Sequence, residues 1–533
     1  MGEPRTLAIF GARIYTLDPA VPRAEALFAR DGRILLVGGD AEVGALAAAH
    51  PGCVRLELGG RCVLPGFTDS HIHLLAYGLG LSRVALSGVT SLQTVLERVG
   101  EAAREAPRGA WVEGWGWDHS LWAERRFPSK SLLDGVAPQV PVALRRKDGH
   151  MTWLNSAALA AAGITAHTPD PQGGRIGRDA AGEPDGLLFE RAQDLVTRAI
   201  PAPAPAQAEA ALLQAAAELH RLGVTGVHIP EGPLTFHAMQ ALDAAGRLGL
   251  RTTMMLAYDT FEQALAVGLR TGFGSERLKV GPLKLFMDGS LGSETAAMLE
   301  PFEGSADNYG LLTLGEAEVR QAVQRAAGAG VACAIHAIGD RANRIVLDAF
   351  EETRPLWEPA GLRQRIEHVQ VLHPHDLPRL AGLGVIASVQ PIHATQDMLL
   401  VDRLWGSRGR YAYAFRSLLQ RGTRLAFGSD APVETPDPLA GLYAAVARRR
   451  ADGQPPGGWY PEERISIADA VRAYTSGAAY AAGDEHHGGT LAAGKWADFV
   501  VLSEDIMQGP PESIVAARVT HTVFDGRVVY RQA

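Results

Sequence analysis

Between about residues 65 and 485 the chain alternates two textures. Short apolar runs of strand character are separated by longer, alanine-rich stretches with helical spacing, among them 206–222, 316–328 and 467–477. The runs lie at 140–144, 225–229, 252–257, 283–287, 332–336, 366–370, 385–389 and 425–427. Such repetition argues for a parallel sheet, because each strand must return through a crossover before it can lie beside the last. The number of runs and the length of the region predict an α/β fold, a (β/α)8 TIM-like barrel. A doubly wound sheet is the alternative. However, no Gly-x-Gly-x-x-Gly follows an early strand and no P-loop motif occurs.

Both ends of the chain read differently. Residues 26–30, Asp31-Gly32 and 33–37 form an apolar strand, a turn dipeptide and a second strand, which is a hairpin signal. The pattern recurs as 519–524, Asp525-Gly526 and 527–530. We therefore expect a small β-sandwich assembled from both termini, 1–64 plus 487–533. The barrel would occupy 65–486, with inserted substrate loops at about 105–200.

Composition removes several functions. The 533 residues are 47% apolar and 21% charged, carry a net charge of −8, and contain no long run of Lys or Arg. Nucleic acid and anionic membrane are therefore not expected partners. No apolar run is long enough to span a bilayer, and the first residues lack the apolar core of a signal peptide. Cys53, Cys62 and Cys333 are too few for a disulfide framework. A cytoplasmic protein acting on a small-molecule substrate is the expectation.

Chemistry-bearing residues gather at the ends of the runs, where such barrels place their active sites. Val63-Leu-Pro-Gly-Phe-Thr-Asp-Ser-His-Ile-His73 passes from an apolar strand into Asp69, His71 and His73. Residues two apart on a strand share a face, so the two imidazoles would point together with Asp69 in their row. Imidazole is a common metal ligand, and a nearby carboxylate can fix its tautomer. His-x-His alone is weak, since His373-Pro-His375 at a helix entry repeats it. The pattern gains weight from His336, His368 and Asp430, which follow in order at later strand ends.

Lys284 is flanked by Leu283, Leu285 and Phe286. A buried ammonium is costly unless paired or neutralised, and desolvation makes the amine nucleophilic. Reaction with carbon dioxide would convert it to an anionic carbamate. An ion pair with Asp288 or a snorkelling side chain explains the residue equally well at this level.

The set His71-x-His73, Lys284, His336, His368 and Asp430 resembles the ligand set of the amidohydrolase superfamily. The phrases Lys284-Leu-Phe-Met-Asp-Gly-Ser-Leu-Gly-Ser293, His336-Ala-Ile-Gly-Asp-Arg-Ala-Asn343, Ile366-Glu-His-Val-Gln370 and Gly428-Ser-Asp-Ala-Pro432 are similar to its YtcJ-like branch, which includes N-substituted formamide deformylase. The resemblance covers nearly the whole chain. It implies one or two divalent metal ions: one held by His71, His73 and Asp430, a second by His336 and His368, with carboxylated Lys284 bridging them. Zinc is the expected ion, with manganese or iron as alternatives, and carbon dioxide would supply the carbamate. The implied reaction is hydrolysis of a C–N bond in an amide, formamide or cyclic amide by a metal-activated hydroxide, with Asp430 as general base. A homodimer is implied by the resemblance only.

On the substrate side, Trp115 and Trp117 lie in the Gly-rich aromatic stretch 111–122, either as a pocket wall or as a packing cluster. Arg145, Asp148 and His150 follow an apolar run and would orient a polar group or cap the strand. Asp288, Ser290 and Asp340 sit just past Lys284 and His336, as pocket lining or as supports for the ligands. Two alternatives use the same residues. A deaminase or ester hydrolase shares the metal site, but deaminases of this superfamily typically place a Glu where His336 is followed by Ala-Ile-Gly. A catalytically silent binding or assembly protein would be expected to lack ligands, and none is missing.

Overall fold

The computed structural model describes residues 5–146, 151–171, 174–292 and 294–532. Its chain divides into two compact units, one comprising the segments up to Leu75 and from Leu212 onward, the other Ala76–Ala211.

The larger unit contains an eight-stranded parallel sheet. In chain order its strands are β1 (Phe67–Asp69), β2 (Val224–Ile229), β3 (Arg251–Ala257), β4 (Leu278–Phe286), β5 (Cys333–Ala337), β6 (Arg365–His368), β7 (Ile386–Val389) and β8 (Leu425–Phe427). Each pairs in parallel with its neighbour from β1 to β8. The Ser70 N–H donates to Phe427 O at 2.9 Å, which brings the two edges together into a nearly closed barrel. Helices such as Glu316–Gly328 and Asp340–Trp357 bury Val319, Val323, Val346 and Phe350. This is the outer layer that a parallel sheet requires on its convex face.

The run at 140–144 is not a barrel strand. Its residues 142–144 fall in Val142–Arg146, which belongs to a different, six-stranded sheet, and the first barrel strand is Phe67–Asp69. Residues 140–144 look more like a buried strand than Phe-Thr-Asp does, so local hydrophobic pattern does not pick out the barrel strand.

Two further sheets in the larger unit come from the chain ends. One has the order Arg33–Gly38, Ala26–Arg30, Thr6–Phe10, Val54–Glu57; the other runs Arg527–Arg531, Val519–Phe524, Phe499–Leu502, Cys62–Pro65, Arg13–Tyr15, Arg23–Ala24. Leu7, Ile9 and Leu27 from the first share one core with Val63, Phe499, Val501 and Val523 from the second. Both Asp-Gly dipeptides make the hairpins expected of them. Asp31 and Gly32 have φ of 49° and 80°, and Asp525 and Gly526 have 53° and 69°, the left-handed pair that matches strand twist.

The smaller unit is built on the mixed sheet that contains Val142–Arg146, with Val112–Trp117 parallel to it and Met151–Leu154 antiparallel. Leu144, Trp117, Trp122 and Trp153 pack in its core.

Candidate metal centre

β1 ends at Asp69, so His71 and His73 stand in the turn beyond the strand rather than on it. Two backbone bonds tie that turn to the one after β8. Asp430 N–H donates to His71 O (2.7 Å), and His73 N–H donates to Ala431 O (2.9 Å). Asp430 itself has φ of +60°, an uncommon value for a residue with a side chain and one that recurs at functional sites. Its Oδ1 lies 3.6 Å from His71 Nε2 and 3.4 Å from His73 Nε2. One ligand atom from each of the three residues falls within 4.8 Å of the others, and this is the one such group found among the described residues.

His336 and His368 stand beside it. Ring centroids are 4.9 Å apart for His71 and His368, and 4.6 Å for His336 and His368. His368 ends β6 with φ of +77°. That left-handed turn takes its side chain out of strict strand alternation, so it need not face opposite to Glu367. His368 Nδ1–H donates to Gln390 Oε1 (2.8 Å), leaving Nε2 as the lone-pair nitrogen. His336 Nε2 meets Gly289 O (3.0 Å), which can only accept, so here Nδ1 is the lone-pair atom.

The protonation states suit a cation. Burial and the nearby Lys284 charge push His71 down to about 4 and His336 to about 3, and burial with the adjacent His336 holds His368 well below the ordinary value. All three are therefore neutral near pH 7, the form that ligates metals. Burial works against ionisation of Asp430, but the His73 hydrogen bond and the facing His71, His368 and His393 outweigh it and hold the carboxyl well below the usual range. Neutral imidazole nitrogens with a carboxylate oxygen fit a divalent metal such as zinc.

Lys284 is buried on β4, and its Nζ has no hydrogen-bond partner among the described residues. Burial lowers its pKa to about 8, although Glu367 and Asp430 oppose the shift. The Phe286 ring centroid lies 4.7 Å from Nζ. An ion pair with Asp288 is not formed, because that carboxylate is occupied by backbone. It accepts from Ile338 N–H (3.0 Å), Ala297 N–H (2.9 Å) and Gly339 N–H (2.8 Å), and burial raises its pKa to about 7. Asp288 thus shapes the turn after β5. Asp340 accepts from Leu299 N–H (2.8 Å), and Ser290 N–H donates to Thr295 Oγ1 (3.0 Å), so both organise the same loops.

Asp69 departs from its expected part. Its carboxylate accepts from His71 N–H (3.1 Å), Ser429 N–H (3.0 Å) and Ser429 Oγ–H (2.5 Å), stapling the first turn to the last. The carboxylate on the His71 ring is Glu367, at 2.6 Å from Nδ1. Glu367 and its partner Arg365 escaped the sequence reading. The signal was available, since two opposite charges at i and i+2 in an apolar run call for the same explanation as Lys284.

The remaining candidates belong to the smaller unit. Trp117 is fully buried, donates its indole N–H to Leu144 O (2.8 Å) and stacks on Trp122 at 5.8 Å, so it is a core residue rather than a pocket wall. Trp115 is 40% exposed, with the Arg145 guanidinium 5.9 Å from its ring. Asp148 and His150 lie outside the described residues.

A nearly closed parallel barrel with two histidines and an aspartate converging at the C-terminal ends of its strands defines a class of metal-dependent hydrolases. The chain belongs to the amidohydrolase family, whose model matches residues 56–530. Within it the relatives are YtcJ-like. It is 32% identical to putative amidohydrolase YtcJ of Bacillus subtilis, over 98% of this chain and 99% of that protein. It is 31% identical to N-substituted formamide deformylase of Arthrobacter pascens, over 100% and 99% respectively. The solved structure of an uncharacterized metal-dependent hydrolase from Pyrococcus furiosus superposes with a TM-score of 0.80 at 29% identity, covering 94% of this chain and 100% of that one. No helix among the described residues is long and apolar enough to cross a membrane.

Proposed function

We propose that the protein hydrolyses a C–N bond in an amide, formamide or cyclic amide, using a divalent cation held by His71, His73 and Asp430. The observation that carries this is the convergence of those three ligand atoms within 4.8 Å, with Asp430 held ionised. The full-length similarity to a protein named N-substituted formamide deformylase supports the choice of bond. A cation bound there supplies Lewis acidity, lowering the pKa of a coordinated water and polarising a carbonyl oxygen.

The chain's own groups do the rest. Asp430 Oδ1 faces the His71 and His73 nitrogens, so it stands beside any water in that space. It accepts the proton from the attacking water and returns it to the departing nitrogen as the C–N bond breaks. His71, held neutral by burial and the Lys284 charge, offers a lone pair and does not compete for that proton, and His73 supplies the second imidazole. Lys284, neutral in a substantial fraction near pH 8, adds to carbon dioxide: the N–C bond forms, one proton leaves, and a carbamate anion replaces the amine. With that anion in place, His336 and His368 complete a second set of donors.

The test combines metal analysis with turnover. Purified protein assayed on a panel of N-substituted formamides and cyclic amides is expected to carry one or two divalent ions per chain and to lose turnover with chelator. Asp430→Asn is expected to fold and to lose about 100-fold or more in kcat. Near wild-type turnover in that variant, or hydrolysis that survives complete metal removal, would overturn the reading.

A further inference from the structure

The ring nitrogen of His71 opposite Asp430 is engaged by a buried chain of polar groups that the proposed reaction does not use. Glu367 Oε2 lies 2.6 Å from His71 Nδ1, and both side chains are essentially unexposed. Arg365 holds the same carboxylate from the other side, with Nε 2.5 Å from Oε1 and an Nη2–Oε2 distance of 3.2 Å. Its remaining donors go to Ser70 O (2.7 Å), Ser388 Oγ (2.6 Å) and His228 Nδ1 (2.9 Å).

The protons in this chain can be assigned from chemistry. Arg365 can only donate, so His228 accepts at Nδ1 and is neutral. Glu367 accepts from Arg365 at both oxygens, the pairing of a carboxylate with a guanidinium. A carboxylate only accepts, so the short contact to His71 requires the proton on Nδ1. The His71 lone pair is then left on Nε2, the atom 3.6 Å from Asp430 Oδ1.

We propose that Glu367, clamped by Arg365, is the positioning residue that selects the Nδ1–H tautomer of His71 and aims its Nε2 at the cation. Stability alone does not explain such a pair. Two charges buried inside a barrel recover their desolvation cost only with excellent geometry, and apolar replacements are often neutral or better. Orientation of a ligand ring does explain it, since carboxylate partners of metal-bound histidines fix tautomer and raise basicity. Strand geometry permits the arrangement. Arg365 and Glu367 share one face of β6, and the positive φ of His368 lets the next residue join the site as well.

This inference rests on His71 being a cation ligand, and its test separates the two ideas. In Glu367→Gln, one amide must serve both Arg365 and His71. If the oxygen stays with Arg365, the NH2 faces His71 Nδ1 and drives the ring proton onto Nε2, blocking the ligand atom. Zinc affinity of metal-free protein, measured against a competing chelator, is expected to fall about 10–100-fold in this variant. In parallel, 15N-histidine NMR of the metal-free wild type, with His71 assigned by its absence in His71→Ala, is expected to show the Nδ1–H form with a strongly downfield proton. Both features should disappear in Glu367→Gln. A merely structural role would not change the tautomer. An Nε2–H tautomer in the wild type, or unchanged zinc affinity in a folded Glu367→Gln, would overturn the proposal. Should Glu367→Gln not fold, the wild-type tautomer decides alone. A wild-type chain that binds no zinc but shows the Nδ1–H form, lost on substitution, would support the positioning role and refute the metal-centre reading instead.

Discussion

Replacing Lys284 with Met should stabilise the metal-free protein at low and neutral pH. In the fold, burial lowers the lysine pKa from 10.5 to about 8. Each tenfold change in proton affinity is about 1.4 kcal/mol, so the ammonium costs the native state about 3 kcal/mol wherever it must stay charged. The sign follows from proton counting. Between about pH 8 and 10.5 the unfolded chain keeps a proton that the native chain has released, so stability rises with pH across that window. Below pH 8 both states are protonated and the full penalty applies. Met is close to Lys in length, fills the same space and adds no polar atom. Urea denaturation in carbon dioxide-free buffer should therefore find Lys284→Met more stable than wild type by about 3 kcal/mol at pH 6. The two proteins should converge as the pH approaches 10.5. Adding zinc and bicarbonate should stabilise wild type more than Lys284→Met, because the proposed carbamate would give the nitrogen a function that Met cannot mimic. A variant no more stable than wild type at pH 6, or a difference independent of pH, would refute the claim that Lys284 is a buried, unpaired amine.

Other substitutions test the supports of the site. A Cβ at Gly428 would sit 2.5 Å from His71 N and 2.9 Å from Asp69 Oδ1, so Gly428→Ala should displace the His71 turn and weaken zinc binding about tenfold or more, measured by chelator competition. Asp288→Ala strands three backbone N–H donors in the interior and should cost about 3 kcal/mol in denaturation experiments. Because burial and the Lys284 charge push His71 down to about 4 and His336 to about 3, both rings should stay neutral in the metal-free protein from pH 7.5 to 6. Titration followed by 15N-histidine NMR across that range checks it.

Much of the candidate site could be read along the chain because each candidate ligand closes a local pattern. His71, His73, His336, His368 and Asp430 all lie in or just past short apolar runs, and parallel barrels expose that end of every strand. What escaped was pairing across the barrel. Asp69, two residues before His71, has the spacing of a tautomer-fixing carboxylate, yet its oxygens are taken up by Ser429 and the His71 backbone. Glu367, 296 positions away, takes the ring instead. Trp115 and Trp117 look alike in a Gly-rich stretch, but one is exposed and the other fills a core.

The amino-acid sequence alone determined the elements whose causes are local. The Asp-Gly hairpins follow from backbone conformations that few dipeptides adopt, and the strand–helix alternation follows from hydrophobic spacing over a few residues. Tertiary structure decided which apolar run entered the barrel, which carboxylate met which imidazole, and how far each pKa moved. Those outcomes depend on contacts between residues hundreds of positions apart and on burial, which no local pattern encodes. His71 shows both levels. Its place after an apolar strand marked it as a candidate ligand, but the glutamate that meets its ring, and the arginine that holds that glutamate, reach it only once the barrel has closed.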